Sequence, residues 1–246
     1  MEIFLTLLIG FAIGAVLGTL GAGGGVITVP ALVYVLGEPV SAAATASLAV
    51  VASNAAAGSA TALRRDAVNL RVAALFLVGA LPGSVLGAAL ATVTADELVL
   101  GLLSGLMVLA AVALVRRPYS PDPSRARDWY GVPAGLTIGV LTGISGVGGG
   151  FLILPVLVLL IGLHTQLAVA TSLVVIAVTS ASALIARLAT GAELPLVIVV
   201  LLAGAGALGA IAGRRYGSRL RDTQLDRAFG AVLVILAVAM LVSLVV

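Results

Sequence analysis

The sequence has no cysteine, no lysine and a single histidine, His164. Without cysteine there can be no disulfide, no thiolate metal ligand and no thiol nucleophile, and one histidine cannot make a metal cluster by itself. Charge is scarce too: Asp, Glu and Arg make up 9% of the 246 residues, against about a quarter in a soluble domain. The net charge of +3 rests on 13 arginines. They lie between apolar runs rather than in one basic face, so they speak of membrane topology and not of a nucleic-acid partner. With 61% hydrophobic residues and a mean hydropathy of +1.27, the chain reads as a multi-pass protein of the cell membrane, its surroundings the lipid bilayer. The opening MEIFLTLLIG carries an acid and no basic segment, so it reads as a retained helix rather than a cleaved signal.

What is present is a set of apolar runs near 3–20, 26–36, 41–63, 72–93 and 98–115, then 131–145, 150–163, 167–186, 194–213 and 228–246. In lipid, backbone groups must be satisfied within a segment, so these runs are expected to be helices and the fold all-α. The stretch 116–130, RRPYSPDPSRARDWY, has three prolines and four arginines and divides the chain into a first repeat (1–115), a linker and a second repeat (131–246).

The division is a duplication. GAVLGTLGAGGGVITVP at 14–30 returns as GVLTGISGVGGGFLILP at 139–155, 125 positions later. Gly21, Gly23, Gly24, Gly25 and Pro30 match Gly146, Gly148, Gly149, Gly150 and Pro155. A glycine costs about 1 kcal/mol and a proline about 3 kcal/mol inside a helix, so each element is expected to break the helix. Irregular backbone in a membrane belongs where protein buries it or where it lines a cavity, and paired breaks point to a transporter's binding site. Segment 26–36 would give about 16 Å of helix against a hydrocarbon core of roughly 30 Å, which favours a helix, break and half-helix hairpin, re-entrant or crossing, in each repeat. Glycines at every fourth position (Gly10/Gly14/Gly18, Gly79/Gly83/Gly87, Gly135/Gly139/Gly143 and Gly209/Gly213/Gly217) are assigned to close helix packing.

Arginine placement suggests orientation. Arg64, Arg65 and Arg71, the linker, and Arg214 to Arg227 mark cytoplasmic loops. The corresponding loops of the two repeats carry opposite bias, as expected of two inverted repeats of about five helical segments each, with both termini outside.

For chemistry, the helix starts after the glycine triplets offer free N–H groups and a favourable dipole to one small anion. Downstream, AAATASLAVV (42–51) matches LAVATSLVVI (167–176) and brings Thr45, Ser47, Thr171 and Ser172, which either donate to substrate oxygens or bond to their own backbone. Asn54, matched by Thr179, is the most polar residue deep in an apolar run and is either a substrate ligand or interhelical glue. Glu38, Asp66, Glu193 and His164 fall at expected helix ends and offer no intramembrane proton relay.

The paired glycine and proline elements, the segments that follow them and the basic linker resemble the sulfite exporter TauE/SafE family of membrane permeases over nearly the whole chain. The resemblance implies a transporter of small sulfur-containing anions such as sulfite, sulfoacetate or other sulfonates, working by export and without a cofactor. The hallmark glycines and prolines would be the positions named above, with Ser47, Thr171 and Ser172 matching the second segment. Ala46 stands where the second repeat has Thr171, so a symmetrical hydroxyl cage is incomplete. A transporter of another small solute, a membrane-embedded enzyme and an assembly subunit are the alternatives; the residues give an enzyme little to work with. A homo-oligomer is compatible with all of this.

Overall fold

A computed structural model describes residues 2–22, 24–64, 68–90, 105, 108–114, 128–145, 150–189 and 191–245, and these contain helices and no strand. In chain order they are α1 (Glu2–Leu20), α2 (Gly24–Pro30), α3 (Val40–Leu63), α4 (Leu70–Leu90), α5 (108–114), α6 (Gly131–Ser145), α7 (Gly150–Leu159), α8 (Thr165–Ala189), α9 (Leu196–Gly217) and α10 (Asp222–Val245). Spans within α1, α3, α4, α8 and α9 are long and apolar enough to cross a membrane. Helix α7, with ten residues, measures about 15 Å, half a hydrocarbon core.

Helix ends overrun the apolar runs wherever a polar turn is capped. Asn69 Oδ1 accepts the Val72 N–H at 3.1 Å, so α4 starts before its first apolar run. Asp222 opens α10 six residues ahead of the run expected to begin at 228, its charge complementing the helix dipole. The α1–α2 break is real: Gly21 has φ 65°, and its N–H closes the last turn on Leu17 O at 2.7 Å, the left-handed cap that glycine adopts without strain.

Both prolines lie inside helices. Pro30 lacks an N–H, and beyond it Ala31–Val35 widen into a π-helical turn, Leu36 N–H reaching Ala31 O at 3.3 Å. Pro155 is buried in α7. The duplication extends to the ends of these pieces: Gly37 (φ 70°) and Gly162 (φ 86°) are matched left-handed residues. Glu38 N–H bonds Leu32 O and Leu163 N–H bonds Leu157 O, each at 3.0 Å, as in a Schellman cap.

Packing between the halves is reciprocal: α1 lies along α9 and α4 along α6, so the first helix of each half embraces the fourth of the other. The glycine ladders make this possible. A Cβ on Gly14 or Gly18 would strike the carbonyls of Gly206 or Ala210, and one on Gly209 or Gly213 those of Phe11 or Ala15. Gly79, Gly83 and Gly87 meet Val132, Leu136 and Val140 in the same way, while Gly135 and Gly139 meet Phe76 and Ala80. Numbers rise together along both partners, so each pair is parallel. Between these pairs α3 packs against α8. Buried residues make up 61% of the α3 span and 50% of the α8 span, more than of any other span, which puts these two at the centre.

Candidate functional site

Four of the hydroxyls singled out from the sequence are buried on the two central helices, and all four donate to backbone carbonyls. Thr45 bonds Ser41 O at 3.1 Å, Ser47 bonds Ala44 O at 2.9 Å and Thr171 bonds Leu167 O at 2.7 Å. Ser172 donates to Gly21 O at 2.7 Å and to Val169 O at 2.9 Å. The Ser172 bond fastens the first half's helix break to the second half's central helix. Gly21 fits there because a Cβ would lie 2.6 Å from Ser172 Oγ and 2.7 Å from Val169 O. Thr171 Oγ1 also accepts the Asn69 N–H at 3.1 Å, tying the start of α4 to α8.

Gly150 and Gly24, one glycine from each element, lie in different surroundings. Gly150, the first residue of α7, lines a cavity of about 60 Å³ between α3, α4, α6 and α8. That is several times the roughly 10–15 Å³ needed for one water. Its polar lining is Ser84, Thr142, Thr179 and Ser180, and Phe76 and Ile176 stand among its apolar walls. Ser84, Thr142 and Thr179 donate to carbonyls of their own helices at 2.8, 2.6 and 2.9 Å. The side chain of Ser180, 5% exposed, forms no hydrogen bond to any described residue. Among the described residues, no titratable side chain lines the cavity. Gly24, at the start of α2, instead packs on Leu17, whose side chain a Cβ would meet at 3.2 Å; Gly25 follows in the same turn. Gly23, Gly146, Gly148 and Gly149 lie outside the described residues.

Asn54 is fully buried, and neither its Nδ2 nor its Oδ1 finds a hydrogen-bond partner. It sits beside Gly206, where a Cβ would fall 2.5 Å from Asn54 Oδ1. Ser84, Thr142 and Ser180 were not singled out from the sequence. The signal was available: at the offset of 125, Thr142 and Ser180 match Leu17 and Ala55, so the second half carries hydroxyls where the first is apolar.

A separate polar cluster ties together the ends of α8, α9 and α10. Thr165 Oγ1 donates to Asp226 at 2.7 Å, the Gln166 N–H to Asp222 at 3.2 Å, and buried Arg214 to Gln166 O at 3.4 Å. His164 lies 3.7 Å from Asp222 in this cluster and does not line the cavity.

Residues 6–240 match the family described as Sulfite exporter TauE/SafE. The chain belongs to that family. It is 24% identical over 245 residues to a probable membrane transporter protein, YunE, of Bacillus subtilis, covering 87% of this chain and 90% of the relative. Over 176 residues it is 31% identical to a probable membrane transporter protein of Xylella fastidiosa, covering 68% of this chain and 67% of the relative. No solved structure matches. This TauE/SafE member is therefore a multi-pass membrane protein of a transporter family, not an enzyme.

Proposed function

We propose that the protein is a permease for small sulfur oxyanions or organosulfonates, of the sulfite or sulfoacetate type, and that it exports them through the cavity at Gly150. The observation that carries this reading is the lining itself: among the described residues it offers a helix start, four hydroxyls and no titratable group, in a space sized for a small solute. Free N–H groups and the dipole at the start of α7 favour negative charge. The bonded hydroxyls can rotate from their own carbonyls toward a ligand's oxygens, and Ser180 has nothing to give up. In this reading the glycine elements position the helix starts, and Ser172 fastens the first of them through Gly21 O.

The same reading takes residues 1–115 and 131–246 as inverted repeats joined by a cytoplasmic linker. Asn69 at the start of α4 touches Thr171, and Arg214 at the end of α9 touches Gln166, so the start of α8 shares one end with both. Helix α6 runs parallel to α4 and α1 parallel to α9; the first helices of the two halves therefore run in opposite directions. The positive-inside rule makes the arginine end cytoplasmic; on this reading the cavity, lined by Ile176 to Ala183 of α8, lies just past the middle of that helix on the outer side.

The test is ligand-induced thermal stabilisation by sulfite, sulfonates, thiosulfate and sulfate, followed by flux of the best ligand into proteoliposomes. Thr142→Leu, which installs the residue matched at Leu17, should insert normally and lose both. Binding and flux unchanged in Thr142→Leu would remove the cavity from the pathway.

A further inference from the structure

We propose that the first half holds a second, closed ligand position around Asn54, the counterpart of the open cavity, and that a small oxyanion reaches the cytoplasmic side through it. This rests on the transport reading above and adds the residue that opens the other side. The offset of 125 carries the cavity's Thr142, Thr179 and Ser180 onto Leu17, Asn54 and Ala55. The helix pairing carries its α4 wall onto α9, since Gly139 meets Ala80 as Gly14 meets Gly206.

These three counterparts are sealed. Leu17, Asn54 and Ala55 are fully buried, and Leu173 closes on Gly58, which is the match of the cavity's Ala183. The second half thus holds a cavity where the matching positions of the first are filled, although their sequences descend from one element. A polar amide sealed into a shut half with neither atom paired is costly. That cost disappears if the half opens, because the amide N–H can then donate to an oxyanion and Oδ1 can accept from accompanying water. The unpaired amide therefore disfavours the shut form of its own half and keeps the second form within reach. Asn54 is a polar contact for the ligand in the inward-open form and a destabiliser of the sealed one.

The chain's lack of cysteine allows a direct test with single thiols at Ser180 and Ala55, labelled by an impermeant reagent from either face of the membrane. Ser180→Cys should react from the face opposite the arginine end. Ala55→Cys should react only from the arginine end, and roughly ten- to a thousandfold more slowly, as expected if its open form is a minor state. Asn54→Leu should suppress Ala55→Cys labelling by about tenfold or more and leave Ser180→Cys labelling in place, whereas Asn54→Thr, the residue used at 179, should preserve both. If Ser180→Cys reacts but Ala55→Cys is silent from both faces, or its labelling ignores Asn54→Leu, the closed position is wrong while the cavity reading stands. If Ser180→Cys itself is inert from both faces, the cavity reading falls and this inference with it. Should Asn54→Leu fail to insert, the Ala55→Cys labelling with native Asn54 and with Asn54→Thr still decides.

Discussion

Adding one methyl group at Gly14 is expected to push two membrane helices apart. Its Cβ would fall on the Gly206 carbonyl, with the carbonyl carbon and Cα at only 2.6 and 2.7 Å. Restoring ordinary contact requires α1 and α9 to separate by roughly 1 Å, a gap that already forfeits a quarter to a half of the dispersion well for the atoms it parts. Gly10, Gly18, Gly209, Gly213 and Gly217 lie on the same seam, so the loss spreads along it. Overpacking of this kind costs about 1–3 kcal/mol, offset by up to about 1 kcal/mol of better helix propensity. A net destabilisation of about 1–2 kcal/mol is expected. Gly139→Ala should behave alike, since its Cβ would strike Ala80 in the reciprocal seam. Gly204→Ala on α9 is the control: a Cβ there meets nothing within 4 Å, and the change should be neutral or stabilising by up to about 1 kcal/mol. Reversible unfolding in detergent micelles, read by helical circular dichroism against denaturant, measures all three. If Gly14→Ala and Gly139→Ala fall within about 0.5 kcal/mol of Gly204→Ala, the size of an ordinary surface change, the glycine ladders do not set the packing.

Gly21→Ala should destabilise by about 2 kcal/mol or more and uncouple the halves, because it forces a left-handed alanine and intrudes on Val169 O at 2.7 Å; the same unfolding assay checks it. Gly37→Ala meets no neighbouring atom and should cost only the backbone penalty of about 1–2 kcal/mol, whereas unchanged stability there would mean that the turn relaxes freely. Thr165→Val removes the donor to Asp226 and should cost about 1.5–3 kcal/mol as a bond to a charged group, with increased proteolysis at the α9–α10 turn and unchanged anion binding at the cavity. An equal loss of binding in that variant would show that the polar cluster and the cavity are one site.

The architecture was largely legible because its signals are covalent. Among the described residues the first GxGGG element translates into a break at Gly21, most hydropathy runs into helices and the four-residue glycine spacing into a seam, and Gly14 meeting Gly206 is the packing that the spacing implied. The extent of α10 was less legible: Asp222 to Arg227 are polar but for Leu225, and a hydropathy boundary misses turns held by caps and partners. The surroundings of the candidate site residues were less legible. Gly150 does face a cavity, but Thr45, Ser47, Thr171 and Ser172 turn their protons to backbone carbonyls. Which way a hydroxyl points depends on the helix opposite it, and no single run of sequence records that. Ser84 is the clearest case. Nothing about PGS at 82–84 sets it apart until α4 packs on α6 and α8 stands across the gap.

The central claim, passage of a small anion through the hydroxyl-lined cavity at Gly150, is tested most directly by sulfite flux in proteoliposomes with the potential clamped by potassium and valinomycin. At 100 mV an elementary charge gains about 2.3 kcal/mol, roughly a 50-fold concentration ratio at equilibrium. The account predicts a sulfite flux that reverses with the sign of the potential, ignores an imposed proton gradient and is lost in Thr142→Leu. A flux no greater than that of empty liposomes, or one that runs only when a proton gradient is imposed and disappears in Glu38→Gln or Glu193→Gln, would contradict it.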